Sequence, residues 1–371
     1  MFTGLPEYPW KKLKPYEELA KQHPSGIVDL SVGSPIDPTP LVIQDALIRA
    51  TNAPGYPSTA GSLELREAIV EWFSRRRSVP NLTLDQVMPS IGSKELISFL
   101  PLFLGLGKDD VVVQPRVAYT AYVVGASLVG AEIVSSDDPD SWPENTKLIW
   151  LNSPGNPDGK VLDVADLRKA VARARELGAV LASDECYAEL GWGHWATTKI
   201  PSLLDPRVSD GNLDNLIALY SLSKQSNLAG YRAAFAAGDS KLIQPMVNLR
   251  MHSGLMMPAP VQKAVIAALA DEEHVAIERE IYRSRREVLL QAVKDFGFEV
   301  KDSEAGLYVW ATLGEDCWLT VKRMAELGVL VVPGEFYEAG GSHFVRFSIT
   351  ATDDKIAEGA NRLRHAIKLN S

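Results

Sequence analysis

The sequence predicts an α/β fold: a large domain on a mostly parallel sheet, joined to a smaller α+β domain. Three observations carry this. Short apolar runs such as "DVVVQP", "KLIWLNSP", "AVLASDE" and "NLIALYSLSK" lack polar alternation, as strands covered on both faces do. Helical stretches separate them, the order of a doubly covered parallel sheet. After about residue 240 the pattern changes to charged helices and then to hairpin-like strands.

In chain order, residues 1–35 are irregular and Pro-punctuated, and end in a strand within "IVDLSVGSP". From Ser62 to Arg77 the pattern is helical, because Leu65, Ile69, Trp72 and Phe73 recur at i, i+4, i+7 and i+8 between charges. "LISFLPLFLG" is a helix, "YVVGASLVGAEIV" a helix running into a strand, and "DVADLRKAVARARELG" a helix stopped by glycine. Residues 261–293 form long charged helices; "GFEVKDSEAGLYVWATL", "GVLVVPGEFY" and "HFVRFSIT" give strands, and an amphipathic helix closes the chain. The expected division is a large domain over 36–245 and a small domain from 1–35 and 246–371.

Composition narrows the function. The 371 residues are 46% hydrophobic and 23% charged, as in a globular protein. A net charge of −9 and a pI near 5.3 argue against nucleic acid as partner, since phosphate backbones need a basic face. The longest uncharged stretch near the middle, Val117 to Ala131, is too short and too polar to span a membrane. The N-terminal stretch lacks the apolar core of a signal peptide. Cys186 and Cys317 make neither a disulfide framework nor a metal pattern. A reducing cytoplasm is the expected compartment.

In open α/β sheets, ligands sit beyond the carboxyl ends of the strands. Strand 147–151 is followed by "NSPGNPDGK"; strand 179–183 by Asp184, Glu185 and Tyr187; strand 216–220 by Ser221, Ser223 and Lys224. Strand 110–114 leads to Arg116, Tyr119 and Tyr122, and Gly92, Ser93 and Lys94 start a helix. Singly, most have ordinary explanations: serine caps helices, "SPGNPDG" suits a turn, and Asp184 could cap or pair. Lys224 is different. A lysine at the end of an apolar strand is costly unless paired or used, and desolvation is how Schiff-base lysines acquire a low amine pKa.

Together these groups suit pyridoxal phosphate. That cofactor is an electron sink carried on a lysine, with an acid at its ring nitrogen. Lys224 would hold it and Asp184 would keep the ring nitrogen protonated. Asn156 and Tyr187 would donate to its phenolate oxygen, and Tyr119 would stack on the ring. Ser93 at a helix start, Ser221, Ser223 and Arg232 would hold the phosphate.

The chain resembles the class I/II aminotransferases, the fold-type-I pyridoxal phosphate enzymes. The resemblance rests on "NSPGNPDGK" (with Asp158 where threonine is usual), "SDECYAEL", "SLSKQSNLAGYR", "VRFSI" and "YPSTAGSLELREAI", and spans almost the whole chain. It implies a large domain with a seven-stranded, mostly parallel sheet. It implies that Lys224 also moves the proton at Cα, that Gly92 and Lys94 join the phosphate site, and that Tyr56 reaches the partner subunit's phosphate in a homodimer. Arg346 would grip the substrate α-carboxylate, helped by the Gly33 N–H and by Asn156.

Several segments are more narrowly similar to N-succinyldiaminopimelate aminotransferases of the actinobacterial type: "PSIGSKELISFLPLFLGLGKDDVVV", "RVAYTAYVVGASLVGAEIV" and "LYSLSKQSNLAGYRAAFAAGD". The implied reaction passes an amino group between glutamate/2-oxoglutarate and N-succinyl-2-amino-6-oxopimelate, in lysine biosynthesis. Aspartate or aromatic amino acid transamination, and carbon–sulfur lysis, use the same constellation. A non-catalytic protein is disfavoured by the intact Lys224, Asp184 and Arg232. An acidic substrate asks for further cations, for which Arg116, Lys160, Lys94 and Lys14 are candidates. Trp192, His194 and Trp195 would line a tail pocket or serve as a hydrophobic loop, and Cys186 is expected to point into the core.

Overall fold

A computed structural model describes residue 5 and residues 9–370; part of the N-terminal stretch considered above as a leader lies outside them. The chain starts with α1 (Lys14–Lys21), β1 (Val28–Asp29), α2 (Leu41–Arg49) and α3 (Leu63–Arg77). The Ser62 side chain caps α3, accepting the Leu65 N–H at 3.2 Å, and Leu65, Ile69, Trp72 and Phe73 are its buried stripe, as the spacing predicts. The large sheet and its helices follow: β2 (Val87–Ser90), α4 (Ser93–Phe103), β3 (Val111–Gln114), α5 (Ala121–Val129), β4 (Glu132–Ser135), β5 (Thr146–Asn152), α6 (Val164–Leu177), β6 (Val180–Asp184), α7 (Pro206–Ser209), β7 (Leu216–Ser221), α8 (Leu222–Gln225), β8 (Ala234–Gly238), α9 (Ser240–His252) and α10 (Ala259–Ala270). The last part holds α11 (Glu273–Asp295), β9 (Glu299–Val300), β10 (Tyr308–Thr312), α12 (Cys317–Glu326), β11 (Val329–Leu330), β12 (Val332–Pro333), β13 (Val345–Ser348) and α13 (Asp353–Asn370).

The large sheet has seven strands in the order β2-β8-β7-β6-β5-β3-β4. β8 runs antiparallel to both its neighbours and the other pairings are parallel. Alternate residues of each strand enter different cores. Ile149, Leu181, Ala218 and Phe235 pack on one face; Leu148, Ala182, Ile217 and Ala236 pack on the other. Both faces are covered, so the strands carry no polar alternation.

The register sets up the site. Asn152 is paired with Asp184, so the polar ends of β5 and β6 stand side by side; Asp184 is paired with Leu219, and Ser221 ends β7 two residues further on. The second sheet, β12-β13-β10-β9, is antiparallel and places Arg346 of β13 between Val332 and Trp310. β1 pairs with β11, which ties the N-terminal segment to the C-terminal part, and Leu13, Val28 and Leu30 share its core.

The cores divide later than the expected 245/246 boundary. Ile243 and Met246 of α9 and Ala264, Val265 and Leu269 of α10 pack on the large sheet. Tyr282, Leu289 and Val293 of α11 enter the other core, so the division falls near Asp271. The composition shift near 240 marked a change from strands to helices, not a change of core. Among the described residues no helix is long and apolar enough to cross a membrane, and no cluster of His, Cys, Asp and Glu could hold a metal ion.

Candidate active site

Asp184 is the last residue of β6 and is 6% exposed. Its Oδ1 accepts the Cys186 N–H at 3.2 Å and its Oδ2 the Tyr122 hydroxyl at 3.3 Å. Burial pushes its carboxyl pKa up, and these hydrogen bonds oppose the shift. Among the described residues it has no ion-pair partner. A buried acid with no cation is costly by itself, which suits a site that receives a positively charged group.

At the end of β7 the Ser221 Oγ caps α8, accepting the Ser223 N–H at 3.2 Å and donating to Ser223 Oγ at 2.9 Å. This cap starts the short turn that carries Lys224 into the cleft, where its Nζ donates to the Gly33 carbonyl at 2.5 Å. Opposite, α4 begins after Gly92, whose lack of a side chain leaves the first N–H groups uncapped. Gly92 sits at φ 96°, where residues with a side chain are strained, and the Arg232 guanidinium packs in the space a Cβ would take, Nη2 2.1 Å from its ideal position. Arg232 itself sits at φ 54° and donates to the Ala229 carbonyl at 2.9 Å. The helix start, the two serines and an arginine that has no carboxylate partner among the described residues suit a dianion.

The other wall comes from the small domain. Arg346 is 3% exposed; its Nη1 donates to Asn156 Oδ1 at 3.0 Å and its Nη2 to the Ser31 carbonyl at 2.8 Å. Its Nε is buried without a partner, a donor left for an incoming carboxylate. Tyr308 and Tyr337 flank the guanidinium, their ring centres 4.0 and 5.2 Å away. Asn156 is itself held by its N–H bond to Asn152 Oδ1 at 2.8 Å.

One cleft of about 490 Å³ is lined by Gly33, Ser93, Lys94, Tyr119, Asn156, Asp184, Tyr187, Ser221, Ser223, Lys224, Arg232 and Arg346. Of the residues singled out from sequence for catalysis, cofactor and substrate, Gly92 stands behind Arg232, and Tyr56, 98% exposed, does not line the cleft. Of the four extra cations only Lys94 lines the cleft, 6.0 Å from the Tyr119 ring. Arg116 and Lys160 line a neighbouring cavity of about 480 Å³, and Lys14 lies on α1. The tail pocket expected from Trp192, His194 and Trp195 does not form there. Trp192 is buried and donates to the Gly306 carbonyl at 2.8 Å, while Trp195 packs on the large core. Cys186 is buried as expected, yet it borders the cleft with Sγ 3.5 Å from Ser93 Oγ.

Sequence reasoning missed Asn152, Trp10, Tyr308, Phe336 and Tyr337, which also line the cleft. The aromatic ones sit in hairpin strands or the N-terminal segment, where such residues read as packing. Tyr122 was noted only as a strand-end tyrosine, and it proves to be the hydroxyl that supports Asp184.

This donor set fits pyridoxal phosphate: an amine at Lys224, an unpaired buried acid at Asp184, and a dianion cradle between them and α4. The sequence profile described as aminotransferase class I and II matches residues 25–363. A 4-dedimethylamino-4-oxo-anhydrotetracycline transaminase of Streptomyces rimosus is 49% identical over 97% of this chain and 99% of its own length. A protein of Mycobacterium tuberculosis described as a probable aminotransferase is 48% identical over 97% of this chain and 86% of its own. Among solved structures, an aminotransferase from Neisseria meningitidis superposes with TM-score 0.88 at 31% identity, covering 98% of each chain. One from Thermus thermophilus, described as a probable N-succinyldiaminopimelate aminotransferase, superposes with TM-score 0.86 at 28% identity, over 96% of this chain and 99% of that one. A match along nearly the whole length, joined to this cleft, makes the chain a member of the class I and II aminotransferases, which work with pyridoxal phosphate.

Proposed function

We propose that this aminotransferase moves an amino group between glutamate/2-oxoglutarate and N-succinyl-2-amino-6-oxopimelate, giving N-succinyl-L,L-diaminopimelate. The observation that carries the reading is the charge of the cleft: Lys94, Lys224, Arg232 and Arg346 face a single acid, Asp184. Three of these cations have tasks at the cofactor and the α-carboxylate, and Lys94 remains for an acidic tail. The likeness to the Thermus thermophilus structure points the same way.

The bound cofactor supplies the electron sink. Lys224 Nζ would carry it and would move the proton at Cα; Asp184 would keep its ring nitrogen protonated. Asn156 and the Tyr187 hydroxyl would donate to its phenolate oxygen, and Tyr119 would cover the ring. Ser93, Ser221, Ser223 and Arg232, with the α4 start after Gly92, would bind its phosphate. Arg346 takes the substrate α-carboxylate with its free Nε and a neighbouring N–H, supported by Asn156 and Gly33. The exposed Tyr56 suits a homodimer in which it completes the partner's phosphate site, and the two unpaired buried cysteines suit a reducing cytoplasm.

A second reading has its own support. Trp10 lines the cleft mouth, edge-to-face on Phe336 at 5.8 Å, and Phe336 meets Trp318 at 5.7 Å. An aromatic rim suits a flat polycyclic ketone of the kind named for the Streptomyces rimosus relative.

The test is amino transfer from N-succinyl-L,L-diaminopimelate to 2-oxoglutarate, read as glutamate formed. No glutamate would defeat the first reading. Glutamate consumed on adding the tetracycline ketone instead would establish the second.

A further inference from the structure

Tyr308 opens β10 and faces the cleft from the small domain. Three groups of the site meet on it. Its hydroxyl lies 3.0 Å from the Tyr187 hydroxyl. Its ring centre is 4.0 Å from the Arg346 guanidinium carbon. Its hydroxyl also fills the space beside Gly33: an ideal Cβ there would be 2.2 Å from the Tyr308 oxygen. Gly33 is the residue whose carbonyl receives the Lys224 amine.

Each contact has a consequence. A tyrosine hydroxyl donates one hydrogen bond, so in a tyrosine pair the acceptor keeps its own proton for another oxygen. Burial pushes the Tyr308 hydroxyl pKa up, but the Arg346 and Lys224 charges outweigh it and the net shift is down; burial pushes Tyr187 up. The two hydroxyls are close enough for one hydrogen bond, and with Tyr308 as its donor Tyr187 keeps a proton for the cleft. At Arg346, Asn156 and Ser31 hold two nitrogens in the guanidinium plane. The Tyr308 ring fixes the tilt of that plane from the face.

We propose that Tyr308 is a positioning residue for both ligands: its hydroxyl turns the Tyr187 proton toward the cofactor phenolate oxygen, and its ring orients Arg346 for the substrate carboxylate. This rests on the roles given to Tyr187 and Arg346, and not on which oxo acid is the substrate.

Two variants of the full chain loaded with pyridoxal phosphate separate the two actions. Tyr308→Phe keeps the ring and loses the hydroxyl; Tyr308→Leu loses both. The first readout is the pH midpoint of the visible absorbance change of the loaded protein. The second is the dissociation constant of maleate, an unreactive dicarboxylate. Tyr308→Phe is expected to raise the midpoint by about 0.5 unit or more while maleate binding stays within about twofold. Tyr308→Leu is expected to weaken maleate by about fivefold or more. An unmoved midpoint in Tyr308→Phe, or maleate binding within about twofold of the parent in Tyr308→Leu, overturns the proposal. Should the leucine variant fail to fold, Tyr308→Met removes the ring with a side chain that fills the gap. Neither readout needs turnover, so failure of the substrate reading leaves both intact.

Discussion

The Lys224 amine donates to the Gly33 carbonyl oxygen at 2.5 Å, joining α8 of the large domain to the N-terminal segment. The bond holds the amine at the cleft, and among the described residues it makes no ion pair with a carboxylate. Lys224→Ala is expected to lower turnover by about 10³-fold or more while the chain still binds pyridoxal phosphate, loosely and reversibly. Dialysis followed by absorbance measures the binding. Near-parental kcat would remove Lys224 from its role.

Arg346→Lys should raise KM for the amino acid by about tenfold or more, with a smaller change in kcat. A lysine keeps the charge but cannot present two parallel donors, and it would leave Asn156 Oδ1 and the Ser31 carbonyl short of partners. Steady-state kinetics with glutamate, compared with the far-UV spectrum as a control for folding, checks this. An unchanged KM would mean that the carboxylate binds elsewhere.

Asp184→Asn separates function from stability. Burial raises the Asp184 pKa, so without cofactor the ionised carboxylate destabilises the fold. That destabilisation is absent while the group is protonated at low pH and grows as pH rises above the unfolded value. The cofactor-free variant is therefore expected to be at least as stable as the parent near neutral pH. The loaded variant should lose about 10²-fold or more in kcat. Urea unfolding of the cofactor-free proteins beside kinetics of the loaded ones tests both halves, and a variant with parental kcat would contradict the ring-nitrogen role.

Asp158 stands in the loop after β5, where the resemblance expects threonine. Burial pushes its carboxyl up to about 7; Asp302 and Asp137 add to the shift, while the Lys160 N–H and charge oppose it. A folded-state pKa above the unfolded one means that this group's contribution is greatest at low pH and is lost as pH climbs toward 7. Asp158→Asn should flatten that decline, gaining about 1–2 kcal/mol over the parent near pH 8 and little near pH 4. Parallel urea curves for the two proteins across this range would disprove it.

The parts of the molecule that showed in the sequence are those where a local pattern and a chemical need coincide. Lys224 and Asp184 end apolar runs, so their polarity stood out against a buried background. β2 and β8 did not stand out: "VMPS" contains proline, and "AFAAG" is built of small residues with weak strand preference, buried by their place in the sheet. Tyr308 and Tyr337 were hidden for the opposite reason. They lie in apolar hairpin segments, and only the pairing of β12, β13 and β10, which the sequence does not show, brings them beside Arg346. Arg116 and Lys160 follow strand ends like the residues of the cleft, yet they line the neighbouring cavity. Spacing along the chain does not report on which side of a loop a residue falls.

Arg346 is bonded to Asn156 and Ser31 and covered by two tyrosine rings, contacts that the protein makes by itself. A free arginine side chain holds about 2 kcal/mol of rotamer entropy, which is lost when it is fixed. Here that loss belongs to folding and is not repeated at each encounter with an amino acid. The enzyme can therefore bind and release a carboxylate quickly at the same guanidinium, which a reaction exchanging two substrates through one cleft requires.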